Sequence, residues 1–317
     1  MKIVVLDGHT LNPGDNPWDA VASLGELQIY DYTGQATNSA DSPADKVVER
    51  SLDADIIVTN KAVLSADVIA KLPNLKFIAV TATGYNVVDI AAARSRGIPV
   101  SNVPEYGTDS VAQFTFALIL ELVHHVALHS DAVHAGEWGR QQDFCFWKTP
   151  LTELAGKTLA IIGYGKIGHR VGEIAEALGM KILTAGRDMA KIREIIAKAD
   201  IVTLHCPLTD ENKGMVNREF LAQMKPTAFL INAARGGLVV EQDLADALNS
   251  GKLAGAAVDV VSAEPIKLDN PLIKAKNCII TPHIAWATLE ARQRLMQTTA
   301  DNIRAFQEGK PVNVINS

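Results

Sequence analysis

Short runs of aliphatic and β-branched residues recur along the first third of the chain, at residues 3–6, 27–30, 56–59 and 75–80, with helix-like stretches between them. The pattern returns at residues 158–162, 181–184, 201–204, 228–232, 255–258 and 278–281. These runs are apolar on both alternations, as expected of strands covered on both faces. Strands of that kind alternating with helices build parallel sheets. Because the series occurs twice, the fold class predicted is α/β with two Rossmann-like, doubly wound parallel-sheet domains.

The join lies near residues 101–104, where Ile98-Pro-Val-Ser-Asn-Val-Pro104 ends one strand ahead of a long apolar helix predicted over 110–127. A second long helix is predicted over 288–308, after the last strand of the second series. Returning that helix to the first domain makes it discontinuous, 1–101 plus 285–317, around a domain of 102–284. A chain without that return leaves the first domain short and open. No internal repeat or low-complexity segment interrupts the pattern.

Composition narrows the picture. A length of 317 residues suits two domains, and 48% apolar residues can fill two cores. The formal net charge is −6, from 30 basic and 36 acidic side chains. That balance argues against a partner in nucleic acid or an anionic membrane, since both need a positive face. An anionic substrate would need basic groups placed locally. No apolar stretch has transmembrane length, and Met1-Lys2 runs straight into a strand-like segment too short for a secretory signal. The cysteines Cys145, Cys206 and Cys278 are isolated, so reduced thiols, a cytoplasmic location and no zinc site are expected.

Between the apolar run 158–162 and a helix predicted over 169–178 stands Gly163-Tyr-Gly165-Lys-Ile-Gly168. A lone Gly-x-Gly-x-x-Gly is weak, but strand before and helix after is the context that makes it a pyrophosphate cradle. Gly163 permits the tight turn, Gly165 lets backbone N–H groups approach the anion, and Gly168 lets the helix sit close to the strand. In folds that bind NAD, an acidic residue ends the next strand and takes the ribose hydroxyls. Here that position is Gly186, followed by Arg187, whose guanidinium suits a 2′-phosphate. The pair favours NADP(H). With Asp188 serving the ribose, or Arg187 turned to solvent, NAD(H) is the alternative.

Three further strand ends carry polar groups. Arg235 follows the run 228–232 in Asn232-Ala-Ala-Arg235-Gly-Gly, where an open sheet binds ligands and where a guanidinium can hold a carboxylate bidentately. Asp259 ends the next run, as an acceptor for a nicotinamide carboxamide or as a plain turn residue, and Glu264 follows in the loop. Pro282-His283 ends the last run. A carboxylate beside an imidazole favours the protonated ring, so Glu264 and His283 together make a proton donor. Singly, each of these is an ordinary loop residue; the ordered set beside one nucleotide cradle points to redox chemistry on a 2-keto acid.

On these residues the chain resembles the D-isomer-specific 2-hydroxyacid dehydrogenases over essentially its whole length. The matching motifs are Gly163–Gly168, Asn232-Ala-Ala-Arg235-Gly, Asp259-Val-Val-Ser-Ala-Glu264-Pro and Pro282-His283-Ile. Within the family it looks most like the glycerate dehydrogenase, or hydroxypyruvate reductase, branch. The segments carrying that likeness are Ala82-Thr-Gly84-Tyr-Asn-Val-Val-Asp89, Tyr106-Gly-Thr-Asp-Ser-Val-Ala-Gln113, Asp143-Phe-Cys-Phe-Trp147 and His283-Ile-Ala-Trp286.

The resemblance implies a flavodoxin-like substrate domain, a dinucleotide-binding domain and an active-site cleft between them. It implies that Arg235 binds the carboxylate and keto oxygen, that His283 exchanges the proton, and that Glu264 supports His283. It implies that backbone amides of Ala82, Thr83 and Gly84 take the carboxylate. Cofactor contacts are implied at Thr83, Lys166, Ile167, Cys206, Pro207, Ala233, Ala234, Asp259, His283 and Ala285, besides Gly163, Gly165, Gly168, Gly186, Arg187 and Arg235. It further implies a homodimer whose interface lies near residues 110–127. One departure is Gln113 where the family often has Glu, which is expected to alter a structural contact only.

The activity expected is reversible reduction of hydroxypyruvate to D-glycerate, with glyoxylate to glycolate as a side activity. The rivals are a phosphoglycerate or lactate dehydrogenase branch and a dinucleotide-sensing corepressor. The first wants an extra basic cluster that the sequence does not show, and the second wants docking extensions around the two domains. Lys61, after the run 56–59, and Trp286 are further candidates for the substrate pocket, with a solvated Lys an equal reading. His125 and His129, four apart, lack the Glu of a metal-binding helix motif, so no metal is expected.

Overall fold

The computed structural model of the chain describes residues 1–33 and 43–317. Strand β1 (Lys2–Val5) leads through a helical turn at Gly8–Thr10 and the short helix α1 (Asp19–Ala22) to β2 (Glu26–Ile29). Then come α2 (Pro43–Ser51), β3 (Ile56–Thr59), α3 (Ala66–Ala70), β4 (Phe77–Val80), α4 (Ile90–Ser95) and β5 (Val100–Ser101). Helices α5 (Thr108–His124) and α6 (Val126–His134) precede β6 (Thr158–Ile162), α7 (Lys166–Ala177), β7 (Lys181–Ala185), α8 (Met189–Lys198) and β8 (Ile201–Leu204). The chain continues through α9 (Arg218–Gln223), β9 (Phe229–Asn232), α10 (Glu241–Asn249), β10 (Gly255–Val258), β11 (Cys278–Ile280) and α11 (Leu289–Gln307).

Two compact units result, Met1–Gly107 with Ala287–Ser317, and Thr108–Trp286. The crossings thus fall at Gly107 and Trp286 rather than at 101 and 284. Residues 102–106 are bonded into the first unit: Asn102 N–H donates to Asn313 O, Val103 N–H to Ala82 O, and Arg294 to Tyr106 O. Ala285 is bonded into the second by Asp259 and Ser110.

The first unit has a five-stranded, all-parallel sheet in the order β2-β1-β3-β4-β5. This is the flavodoxin-like order, with its reversal between β1 and β3. Strands β3 and β4 are buried at every position, which is why their sequence runs apolar without alternation. Val4, Ile57, Ile78 and Val100 face one cluster with Val47 of α2 and Val68 of α3. On β4, Phe77 stacks on Phe306 of α11, ring centroids 4.5 Å apart. Arg292 of α11 forms a bidentate pair with Asp15 at 2.5 and 2.7 Å and also donates to Leu11 O.

The second unit has six parallel strands in the order β11-β10-β9-β8-β6-β7, reversing between β6 and β8. Alternate residues of these strands enter two separate cores. Ala160, Ile162, Val202, Leu204 and Val258 pack with α8, α9 and α10, while Leu159, Ile161, Ile201, Ile231 and Ala257 pack with α5 and α7. A period of two along strands buried on both sides is the signature of a doubly wound sheet.

Two helices depart from the sequence pattern. The helix expected over 110–127 stops at His124, because His125 adopts a left-handed conformation (φ 48°), and Glu121 then accepts from Ala127 N–H at 3.3 Å as α6 begins. The helix expected to start at 169 starts at Lys166, so Gly168 lies inside its first turn. Among the described residues no single helix is long and apolar enough to cross a membrane. The bent pair α5–α6 comes nearest by composition, yet Ala112, Phe116, Ile119, Leu122 and Val123 of α5 are core residues.

Truncating Phe77 removes a fully buried ring and its stacking partner contact. Phe77→Ala is expected to cost about 3–5 kcal/mol, read as a fall in the urea midpoint of the transition that unfolds the first unit.

Candidate active site

The Gly-rich turn follows β6, and the loop Cys206-Pro207 follows β8, so both stand at the strand-order reversal where doubly wound sheets bind ligands. Gly163 has φ 94°, and a Cβ there would lie 2.5 Å from Cys206 N and 2.6 Å from His205 C. A Cβ on Gly168 would collide with the Gly163 carbonyl. These two glycines are required by close packing of backbone on backbone. Gly165 differs: a Cβ there would meet nothing within 4 Å. It is the N-cap of α7 and offers no capping side chain, so the helix N-terminus presents backbone donors toward that open face. The open face at Gly165 therefore fits a dinucleotide pyrophosphate, which the backbone around Gly165, Lys166 and Ile167 would hold.

At the end of β7, Gly186 is exposed with open space at its Cβ position, and Arg187 is exposed. Asp188 caps α8, accepting from Ala190 N–H at 2.9 Å and Lys191 N–H at 3.2 Å. Across from this strand end the loop after β8 lines an open depression of about 510 Å³ with Leu208, Thr209, Asp210, Glu211 and Lys213. The Thr209 hydroxyl, with the Arg187 charge adding to it, holds the Glu211 carboxyl below its usual range. Within the same turn, burial pushes His205 down to about 4, and its Nε2 pairs with Thr203 Oγ1 at 3.0 Å.

The ends of β9, β10 and β11 carry the polar set. Arg235 is exposed just past β9; its guanidinium donates to Ala234 O at 2.7 Å, and Asn232 Nδ2 fixes the Arg235 carbonyl at 2.9 Å. Gly236 follows because a Cβ there would collide with the backbone of Val261. Asp259, one residue past β10, is buried. Its carboxylate accepts from Thr281 Oγ1 at 2.6 Å, Ile284 N–H at 2.9 Å and Ala285 N–H at 2.8 Å, and its carbonyl accepts from His283 N–H at 2.7 Å. A carboxylate has roughly four acceptor positions, so these bonds leave about one free. Between its anchored neighbours His283 takes φ 56°, and its Nδ1 lies 2.7 Å from Glu264 Oε2. Both side chains are about one-third exposed, at 33% and 36%. Glu264 Oε1 accepts from Val261 N–H at 3.2 Å. Ser110 of α5 donates to Ala285 O at 2.7 Å, closing the segment from the other side; Trp286, next in sequence, and Ala233, just past β9, are half-buried.

In the first unit, Ala82, Thr83 and Gly84 follow β4. Val103 N–H donates to Ala82 O at 3.1 Å, Asn102 Nδ2 to Thr83 O at 2.8 Å, and Thr83 Oγ1 to Val103 O at 2.9 Å. The N–H groups of Ala82, Thr83 and Gly84 donate to nothing among the described residues. Lys61 is exposed, and the amides of Asn60, Lys61 and Ala62 all donate to the buried carboxylate of Asp7. Desolvation raises the Asp7 carboxyl against those three bonds. The ring nitrogens of His129 are both engaged, Nδ1 with His125 O at 2.7 Å and Nε2 with Lys148 N–H at 3.0 Å. Among the described residues no group of three His, Cys, Asp or Glu side chains is set to hold a metal.

Residues 116–285 match the family described as D-isomer specific 2-hydroxyacid dehydrogenase, NAD binding domain. The chain belongs to the D-isomer specific 2-hydroxyacid dehydrogenases. As a member of this dehydrogenase family it is an oxidoreductase with an NAD-binding domain, and the resemblance drawn from its motifs holds. It is 51% identical to the hydroxypyruvate reductase of Blautia hydrogenotrophica, over 100% of both chains. It is 42% identical to the glycerate dehydrogenase of Methylorubrum extorquens, over 86% of this chain and 89% of that one. Among solved structures, an acyclic imino acid reductase (Bsp5) in complex with NADPH and D-Arg superposes with a TM-score of 0.83 at 28% identity, covering 99% of this chain and 100% of that one. D-lactate dehydrogenase of Aquifex aeolicus, complexed with NAD and lactic acid, gives 0.80 at 27% identity, covering 100% and 99%. The two parallel-sheet α/β units are those of the family.

Sequence reasoning assigned no role to Asp7, Asn102 or Ser110. Asp7 stands directly after the first strand, a position shared with the other strand-end groups, and that was its only signal. Ser110 and Asn102 act through carbonyls distant in sequence, which no local pattern reveals.

Two outcomes follow. Gly163→Ala, with φ 94° and backbone at 2.5 Å, is expected to weaken dinucleotide binding at least about tenfold, measured by quenching of protein fluorescence on titration with reduced nucleotide. His205 has its folded value depressed to about 4 from an ordinary 6.5. Its contribution is therefore present above pH 6.5 and is lost as pH falls toward 4, because the unfolded chain takes up the proton first. His205→Gln is expected to flatten the loss of thermal midpoint between pH 6.5 and 4.5 by about one proton's worth of slope. An unchanged slope would remove His205 from the acid response.

Proposed function

We propose that the chain reduces hydroxypyruvate to D-glycerate, reversibly, and glyoxylate to glycolate as a second activity. The observation that carries the chemistry is the His283–Glu264 pair at 2.7 Å, on a backbone pinned by Asp259. The substrate is supported by the hydroxypyruvate reductase and glycerate dehydrogenase relatives.

A nicotinamide dinucleotide supplies the hydride when bound. The remaining work belongs to the protein. Arg235 binds the substrate carboxylate and polarises the keto oxygen; four of its five guanidinium N–H donors remain beyond the bond to Ala234. His283 delivers the proton from Nε2 to that oxygen in reduction and removes it in oxidation, because Nδ1 is engaged by Glu264. Glu264 fixes the ring orientation through Nδ1. The amides of Ala82, Thr83 and Gly84 receive the carboxylate, with Lys61 and Trp286 as further candidates. Gly163, Gly165, Lys166, Ile167, Gly168, Cys206, Pro207, Ala233, Ala234, Asp259 and Ala285 are the cofactor's neighbours in this reading.

NADP(H) is the favoured cofactor, NAD(H) the alternative. Support comes from Asp188, whose carboxylate caps α8, and from Arg187, exposed beside a glycine. The protein acts in the cytoplasm as a homodimer, without nucleic-acid or membrane partners. The exposed apolar side chains Val126, Val133, Trp138, Phe144, Trp147 and Leu151 along α6 and the segment after it are the surface that a second copy would cover.

Arg235→Ala is expected to lower kcat/KM for hydroxypyruvate by about 100- to 1,000-fold, and His283→Ala to lower kcat by about 100- to 10,000-fold. Turnover unchanged in either variant would end this assignment. A Gly186→Asp, Arg187→Ser double change, for which the structure has open space, is expected to swing the NADPH-to-NADH efficiency ratio at least about tenfold toward NADH.

A further inference from the structure

The loop after β4 is held from one side by a chain of amide side chains. Asn102 is buried, and its Nδ2 donates to Thr83 O at 2.8 Å. The carbonyl of Asn102 accepts from Asn302 Nδ2 of α11 at 2.9 Å, and Asn302 Oδ1 accepts from Asn313 Nδ2 at 2.8 Å. Asn102 N–H returns to Asn313 O at 3.2 Å. On the other side of the loop Asn60 Nδ2 donates to Thr81 O at 2.6 Å, and Asn60 N–H is held by Asp7. Every carbonyl from Thr81 to Thr83 is thereby taken: Thr81 by Asn60, Ala82 by Val103 N–H, Thr83 by Asn102.

The three amides that follow the same strand have no such partner among the described residues. Tying each carbonyl on one side of the peptide planes fixes where each N–H points on the other. A row of N–H groups aimed one way is an anion site, and its affinity depends on how little reorganisation binding requires. Apolar packing cannot set this, since Thr83 and Gly84 are exposed. Side-chain amides can, because each supplies a directional donor of fixed reach.

We propose that Asn102 is a positioning residue for substrate carboxylate binding. It orients the amide of Gly84 through the Thr83 carbonyl, which shares its peptide plane, and it is itself seated by Asn302 of α11. This rests on the reading of Ala82, Thr83 and Gly84 as the carboxylate site. Asn102 touches neither substrate nor cofactor in this role, so its loss acts on substrate affinity more than on the chemical step.

The test compares the full chain with Asn102→Asp, which is nearly isosteric but replaces the donor with an acceptor facing Thr83 O. Asn302→Ala is the second variant; it loosens the seat of Asn102 and leaves residues 82–84 untouched, so the proposal stays testable where Asn102→Asp does not fold. For one lost directional hydrogen bond, KM for hydroxypyruvate is expected to rise about tenfold in Asn102→Asp and about threefold in Asn302→Ala. The value of kcat is expected to stay within about twofold, and so is the affinity for reduced dinucleotide.

A purely structural role would lower the thermal midpoint and the active fraction with KM unchanged, and KM within twofold of the parent in folded variants would overturn the proposal. Hydrogen exchange of the 81–85 segment in the parent, with and without oxalate in the presence of oxidised dinucleotide, separates the two layers of inference. Protection in the parent together with an unchanged KM in the variants keeps the carboxylate site and removes Asn102 from it. Absence of protection removes the carboxylate site at 82–84, and the proposal with it.

Discussion

The buried carboxylate of Asp259 is the interaction on which the second unit's polar set depends. It receives two amides and a hydroxyl from residues 281–285, and its carbonyl receives the amide of His283. A residue with a Cβ does not choose φ 56° without compensation; here the compensation is four hydrogen bonds made to one aspartate. Removing them would let the segment relax to an extended path and carry His283 away from Glu264. The carboxylate is desolvated, so its partners are obligatory as well as helpful. Ser110 completes the arrangement from α5, which ties a strand-end loop to a core helix.

Much of this architecture is written in the hydrophobic pattern. β3, β6, β8 and β10 begin and end where the apolar, β-branched runs do, since a strand buried on both faces excludes charged residues. The glycine spacing is legible for a related reason: backbone packed on backbone at Gly163 and Gly168 tolerates no side chain. What the pattern cannot carry is geometry set by distant partners. His125 breaks a helix whose composition continues unbroken to 127, and the break is recorded only in the backbone and in the Glu121 carboxylate. Asp259 reads as a turn residue or a cofactor ligand, and nothing local in the sequence shows that Ile284 and Ala285 donate to it. The asparagines at 102, 302 and 313 are similarly silent, being joined across some 200 positions of sequence.

Both units solve the same problem with the same plan. Parallel strands point their carboxyl ends one way, and the residues just beyond those ends become the places where polar groups accumulate. In the second unit these are Gly163, Gly186, Arg235, Asp259 and His283, each within a few residues of a strand end. In the first they are Asp7, Asn60, Lys61 and Ala82–84. The division of labour comes from side chains, since the sheets alone do not distinguish the units.

Asp7 shows how that division is enforced. It stands after β1, and the amides it binds stand after β3, the two strands between which the first sheet reverses its order. That reversal is the natural seat for a phosphate in a doubly wound sheet. Here the seat is filled by the chain's own carboxylate, a tethered ligand whose effective concentration no solute anion approaches. At that switch point the amides of Asn60, Lys61 and Ala62 are thus already committed to Asp7. Among the described residues, amides that donate to nothing lie one strand further along, after β4.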